Sequence, residues 1–297
     1  MTKTKPNRRR IARILFRIIA GLFVVFVLLL HGVSFLFSLH DRSMRPYPSK
    51  VATDSLGHTL RYYELTQADA EWNLVLIHGT PATAAVFGEQ FRHPFPRANL
   101  FALDRPGFGA SGPDARRPSL DDQANAVGAL LAKSCDRKTI LIGHSYGAPV
   151  ALCAALKFTN EIAGVLLIGG SVNPAQEKTY VIQRVADWPV VSWIVPRTLR
   201  QCNRELLTLR GDLIELQPRL AGLMVPVVML HGTRDRQVPL ANVEYLRAQL
   251  TAGGKSNLFD AIVVSNYNHF IPWQHPDAVE KAIQLLTNHI GTISKTP

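Results

Sequence analysis

Gly143-His144-Ser145-Tyr146-Gly147 sets a serine midway between two glycines. The apolar run Thr139-Ile140-Leu141-Ile142 precedes it, and a run with Ala148, Ala151, Ala154 and Ala155 follows, so the serine falls where a strand turns sharply into a helix. Such a turn holds a strained backbone and lifts Oγ toward a substrate, while the bare glycines let strand and helix approach. It also opens the Tyr146 amide at a helix N-terminus, where it can hold a developing oxyanion. A serine hydroxyl is too weak an acid to attack a carbonyl unaided, so a base and a group that orients the base are required elsewhere. Asp235, in HGTRDRQVP after the run VPVVML, and His269, in NYNHFIPW after AIVV, each follow a different apolar run. Asp212, Asp260 and Asp277 compete with Asp235 but lack a comparable strand-to-turn context.

The elements that must position these residues are legible as an alternation of short apolar runs with helical patterns, the mark of a mostly parallel sheet flanked by helices. VAT and HTLRYYEL flank the turn-rich residues 54–57 and read as an antiparallel hairpin at the sheet edge. NLVLIHG, NLFALDRPG, KTILIGHS, AGVLLIGGS, VPVVMLHGT and DAIVVSNYNH then read as buried strands, eight in all. Leu120, Ala124, Val127 and Leu131 share one helix face over 119–134, with Ser119 as N-cap; helices are also expected over 146–158, 241–252 and 276–290. One stretch breaks the rhythm. Between Gly170 and Val225 the chain runs for about 50 residues where a crossover needs about a dozen. Within it, Trp188 and Trp193 suit either a small core of their own or the lining of a pocket, whereas Asn203 and Glu205 are expected to face solvent.

Gly107-Phe108-Gly109-Ala110-Ser111-Gly112 matches a dinucleotide-binding fingerprint and follows a strand. Pro113 and Pro118 prevent a helix from starting where the pyrophosphate would need its N-terminus, and Leu131 stands where a ribose-binding acid belongs. A tight turn shaped by Asp104 and the glycines is the better reading, and no cofactor is expected. His78, His144 and His231 lie beside the serine turn or at strand ends and read as orienting or packing residues. No metal-ligand spacing occurs.

Five segments in order, HGTPATAAVF, DRPGFGASG, GHSYGA, HGTRDRQVP and NHFIPW, resemble the α/β-hydrolase superfamily over residues 51–291. The order serine, acid, histidine is also the order of that architecture. The resemblance implies Ser145 as nucleophile, Asp235 as acid and His269 as base, with oxyanion donors at the amides of Thr80 and Tyr146. It further implies a cis peptide before Pro81 and a cap, residues 174–223, over the site. Relatives that open epoxides or remove halides share HGxP but carry aspartate at the elbow; Ser145 directs the reading instead to acyl cleavage.

The chain has 297 residues, 47% hydrophobic and 19% charged, which excludes disorder. Cys135, Cys153 and Cys202 are too few for a disulfide framework. The net charge of +11 would suggest nucleic acid, but seven of those charges come from Lys3, Lys5, Arg8, Arg9, Arg10, Arg13 and Arg17, with no acid among residues 1–17, so no nucleic-acid partner is expected. Residues 18–39 then read IIAGLFVVFVLLLHGVSFLFSL, long enough to span a bilayer and longer than the apolar part of a cleaved signal. The expected organisation is a basic cytoplasmic tail (1–17), a signal anchor (18–39), a linker (40–50) and an exported domain (51–291), placed by the positive-inside rule. In a Gram-negative cell that domain would face the periplasm from the inner membrane. The expected activity is that of a membrane-anchored serine hydrolase of carboxylesterase type, acting on a small, moderately hydrophobic acyl substrate. The alternatives are a non-catalytic membrane-tethered binding module on the same fold and a peptidase or amidase.

Overall fold

The computed structural model describes residues 8–114, 118–133 and 137–293. Residues 1–7 of the basic tail, the C-terminal end of the helix expected to reach Ser134, and Cys135 lie outside the described residues.

Helix α1 spans Arg8–His40, and its apolar part, Ile11–Phe35, is long enough to cross a membrane, with none of its most apolar window buried inside the protein. It starts earlier than the expected span because a helix continues through Arg13 and Arg17, whose long side chains can reach back to the interface. A single 3-10 turn, Asp41–Met44, follows, and β1 begins at Ser49. The expected linker is therefore packed. Met44 is fully buried, the Ser43 hydroxyl donates to the Ala85 carbonyl, and Tyr47 meets the Phe91 ring edge-on at 4.9 Å.

All eight expected strands form one sheet in the order β1-β2-β4-β3-β5-β6-β7-β8. β1 (Ser49–Thr53) and β2 (Thr59–Leu65) make the antiparallel edge hairpin, and β2 also runs antiparallel to β4 (Ala98–Leu103). Asp54 shapes the hairpin turn by accepting from the amides of Leu56 and His58 at 2.9 and 2.8 Å. β3 (Trp72–Ile77), β5 (Lys138–His144), β6 (Ile162–Ile168), β7 (Val227–Gly232) and β8 (Phe259–Val264) continue in parallel. β4 and β7 are buried throughout, as continuous apolar runs covered on both faces must be.

The connecting helices are α2 (Gly88–Arg92), α3 (Leu120–Leu131) and α4 (Gly147–Lys157). Ser119 caps α3 by accepting from the Asp122 amide at 3.1 Å. Between β6 and β7 the long insertion folds as α5 (Val181–Ala186), α6 (Pro189–Ile194) and α7 (Arg197–Leu216). The chain closes with α8 (Ala241–Ala252), α9 (Ile271–Gln274) and α10 (Pro276–Ile293). Two apolar layers form, one on each face of the sheet: α3, α4 and α7 cover one, and α10 with residues 84–91 covers the other.

Two expectations about the insertion are overturned. Trp188 and Trp193 form no core and do not line the cavity that holds Ser145: they are 62% and 85% exposed, because six-residue helices have too few turns to bury a second face. Glu205 is fully buried instead of facing solvent, since α7 lays that position over Arg105.

Candidate active site

Ser145 occupies the turn between β5 and α4 with φ 55°, a left-handed conformation that a serine adopts only when its surroundings impose it. The neighbouring glycines explain how the turn closes. A Cβ on Gly147 would lie 2.2 Å from the Ile77 carbonyl oxygen, and one on Gly143 would lie 2.4 Å from the Gly147 carbonyl oxygen. The Ser145 amide donates to Ile168 O at 3.0 Å, tying the turn to β6.

Asp235 and His269 arrive from the ends of β7 and β8. His269 donates through Nδ1 to Asp235 Oδ2 at 2.7 Å, with both residues buried. Asp235 Oδ1 accepts from the amides of Gln237 and Val238 at 2.9 and 2.8 Å. Burial works against the Asp235 carboxylate, but the bonds from His269 and the two amides outweigh it and hold its pKa below the ordinary value. Gly169 leaves room for the pair, since a Cβ there would lie 3.2 Å from both Asp235 Oδ2 and His269 Nδ1.

Ser145 and His269 share the wall of one cavity of about 320 Å³, lined also by Pro81, Val86, Phe270 and Trp273. The remaining histidines nearby are unsuited to act as base. Burial, with His269 adjacent, pushes His144 down to about 3; its Nε2 donates to the His269 carbonyl at 3.0 Å and so fixes the backbone of that residue. Burial and the Arg105 charge lower His78 well below its usual range, and burial lowers His231, whose Nε2 is engaged by the Val238 carbonyl.

Thr80 enters the same cavity from the loop after β3, where the Thr80–Pro81 peptide is cis. Gly79 passes so close beneath the elbow that a Cβ on it would lie 2.8 Å from Ser145 Cβ. Arg105 holds this loop by its carbonyls, its Nε donating to His78 O and its Nη2 to Gly79 O, each at 2.8 Å. In a trans peptide the C=O and the following N–H point in opposite directions, so fixing the Gly79 carbonyl on Arg105 aims the Thr80 amide the other way. The Tyr146 amide opens α4 beside it.

Sequence reasoning gave no such role to three of these contributors: Gly169, Arg105 and Glu205. Gly169-Gly170 was visible as a pair at a strand end, whereas the Arg105–Glu205 contact joins residues a hundred positions apart and carried no local signal. The fingerprint-like loop 107–112 is a turn built on Asp104, which accepts from the Ala84 and Ala110 amides and binds Arg61. Gly109 is bare because a Cβ would fall 2.0 Å from Asp104 Oδ2. Among the described residues no group of three His, Cys, Asp or Glu side chains is placed to hold a metal ion.

Comparison with known proteins bears on this arrangement. Residues 74–282 match the sequence profile described as the alpha/beta hydrolase family. A 138-residue stretch is 33% identical to the dihydrolipoyllysine-residue acetyltransferase component of an acetoin cleaving system from Pseudomonas putida, covering 44% of this chain and 35% of that one. The pimeloyl-[acyl-carrier protein] methyl ester esterase of Shewanella woodyi is 29% identical over 142 residues, 48% of this chain and 49% of that protein. The chain thus spans half or less of the length of these two relatives. Among solved structures, a membrane phospholipase A described as a bacterial virulence factor superposes with a TM-score of 0.61 at 20% identity, over 95% of this chain and 98% of that one.

Proposed function

The chain belongs to the alpha/beta hydrolase family, and from that premise we propose that it is a membrane-anchored serine hydrolase that cleaves a carboxylic ester through an acyl-enzyme on Ser145. The observation that carries the reading is the convergence of a strained Ser145 with His269, itself bonded to Asp235 at 2.7 Å, on one cavity.

In the proposed reaction, His269 Nε2 takes the Ser145 proton as Oγ attacks the carbonyl carbon, and the amides of Thr80 and Tyr146 hold the oxyanion. The imidazolium, stabilised by Asp235, then gives that proton to the leaving alcohol. Water repeats the sequence on the acyl-enzyme, releasing the acid and restoring the serine. The apolar lining from Pro81, Val86, Phe270 and Trp273 suits a moderately hydrophobic acyl or alcohol group. The likeness to a methyl ester esterase supports an ester as the bond cleaved.

The long apolar α1 supports anchoring by a single span, and the cations preceding that span support a cytoplasmic N-terminus with the hydrolase domain exported. The direct test is labelling by a fluorophosphonate probe in wild type and Ser145→Ala. Labelling that survives the substitution removes Ser145 from the role.

A further inference from the structure

The cap carries a surface that the site does not use. Tyr180, Val181, Ile182, Trp188, Val190 and Trp193, within fourteen residues of sequence, are between 61% and 85% exposed. Val190 and Trp193 stand one turn apart on the same side of α6. Lys178 and Arg184 are exposed among them, while the two acids of the stretch are engaged, Glu177 with Ser171 and Asp187 with Arg204. Aromatic and aliphatic side chains interleaved with cations are the composition of a surface that rests in the headgroup region of a bilayer.

The short path from the membrane helix to this part of the chain argues for what covers it. The turn that leaves the membrane helix packs on residues 84–91, through Ser43 on Ala85, Met44 in the core and Tyr47 on Phe91. The same segment of chain lines the cavity with Pro81 and Val86. At its start, His78 and Gly79 are gripped by Arg105, which is bonded to Glu205 of the cap helix α7. Membrane exit, cavity and cap are thus successive neighbours along residues 78–91. Only five helical residues separate the apolar span ending at Phe35 from the end of α1 at His40, roughly 8 Å at 1.5 Å per residue. Without slack in the tether, the domain cannot withdraw far from the bilayer.

We propose that the exposed apolar face of α5 and α6 is a second membrane contact, and that the site draws its substrate, an acyl-ester amphiphile, from the bilayer on which the domain sits. This rests on the anchored serine hydrolase reading and specifies its substrate class. The ester bond of the lipid breaks as its acyl carbon bonds to Ser145 Oγ. The alcohol half leaves with the proton carried by His269, and water then releases the fatty acid.

The experiment uses the full chain reconstituted into vesicles of phosphatidylcholine with a minority of phosphatidylglycerol. Phospholipids brominated on the acyl chain should quench part of the tryptophan emission, and Trp188→Phe with Trp193→Phe should remove that quenched part. Val190→Asp with Trp193→Asp should lower turnover of an ester borne by a bilayer lipid by about tenfold or more, while hydrolysis of dispersed p-nitrophenyl butyrate stays within about twofold. Retention in the membrane after alkaline carbonate with no quenching from these tryptophans overturns the proposal and leaves the anchor standing. That is also the result a second copy of the chain covering this face would produce. Quenching with lipid-ester turnover unchanged in the aspartate variant overturns the substrate assignment. Extraction of the wild-type chain by carbonate removes the anchor and the proposal together, and lipid-ester turnover undiminished in Ser145→Ala removes the serine hydrolase reading itself.

Discussion

Glu205 on α7 closes a two-point ion pair on Arg105, with both side chains wholly withdrawn from solvent. Gln123 contacts both partners, and the Arg105 guanidinium lies 4.7 Å from the Tyr146 ring centroid and 4.9 Å from that of Phe108. Helix α7 is thereby fastened to the loop whose carbonyls Arg105 holds and whose Thr80 lines the cavity. Removing the carboxylate strands a buried cation, which typically costs about 3–5 kcal/mol. Glu205→Ala should therefore lower the urea midpoint by a corresponding amount. On protein that remains folded, kcat should fall by about a hundredfold, the scale of one lost oxyanion donor, with a smaller change in KM. Glu205→Gln, which keeps the shape and one hydrogen bond, should recover part of both. An unchanged midpoint in the alanine variant would show that the pair contributes no net stability.

Ser145→Ala should abolish fluorophosphonate labelling and ester turnover while leaving the melting curve nearly unchanged, because Ser145 lines the cavity and the change removes a single oxygen. Asp235→Asn should lower kcat by about 10⁴-fold, since an amide cannot hold the imidazole in the tautomer that presents a bare Nε2 to the serine. A loss below tenfold would assign the orienting role to another group.

Asp114 bridges Arg197 and Arg200 at the N-terminal end of α7. Burial opposes its ionisation, yet the bonds from Arg200 and Arg197 outweigh burial and lower its pKa. A depressed carboxyl stabilises the fold above its unfolded value, near 3.9, and that contribution disappears as pH falls through the lower folded value. Asp114→Asn should thus cost about 1 kcal/mol at pH 7, modest because the carboxylate keeps some contact with water, and progressively less as pH drops below about 4. Thermal melts of the variant and wild type across that interval read the difference directly. A gap that widens toward low pH would contradict the sign.

The membrane orientation has its own measurement. Alkaline phosphatase joined after residue 50 should be active in a bacterial host, because it folds only where disulfides form. Activity confined to a cytoplasmic reporter at the same junction would reverse the proposed topology.

The alternation of apolar runs made all eight strands legible, and with them the positions of Ser145, Asp235 and His269 at strand ends. The signal was strong because a strand buried on both faces must be apolar along its whole length, and a chain leaving such a strand must turn. The long apolar helix was legible from its composition, and it begins at Arg8, ahead of the apolar run: hydropathy registers the charge of Arg13 and Arg17, whereas backbone hydrogen bonding continues through them. The insertion between β6 and β7 was visible as an excess of length, but its exposure pattern was not. Composition reports that Trp188 and Trp193 are apolar without reporting whether a neighbour arrives to cover them.

What this sequence determined by itself is therefore the material written locally: strand and helix periodicity, the glycine-flanked turn at Ser145, and a segment apolar enough for lipid. The tertiary structure alone decided which distant groups meet. It set His269 against Asp235 across 34 positions and Glu205 against Arg105 across 100, and it left one apolar face of α5 and α6 exposed. The division has one physical cause. Local conformation follows from steric and hydrogen-bonding preferences of adjacent residues, whereas long-range pairing depends on how whole layers dock, and no single window of sequence carries that information.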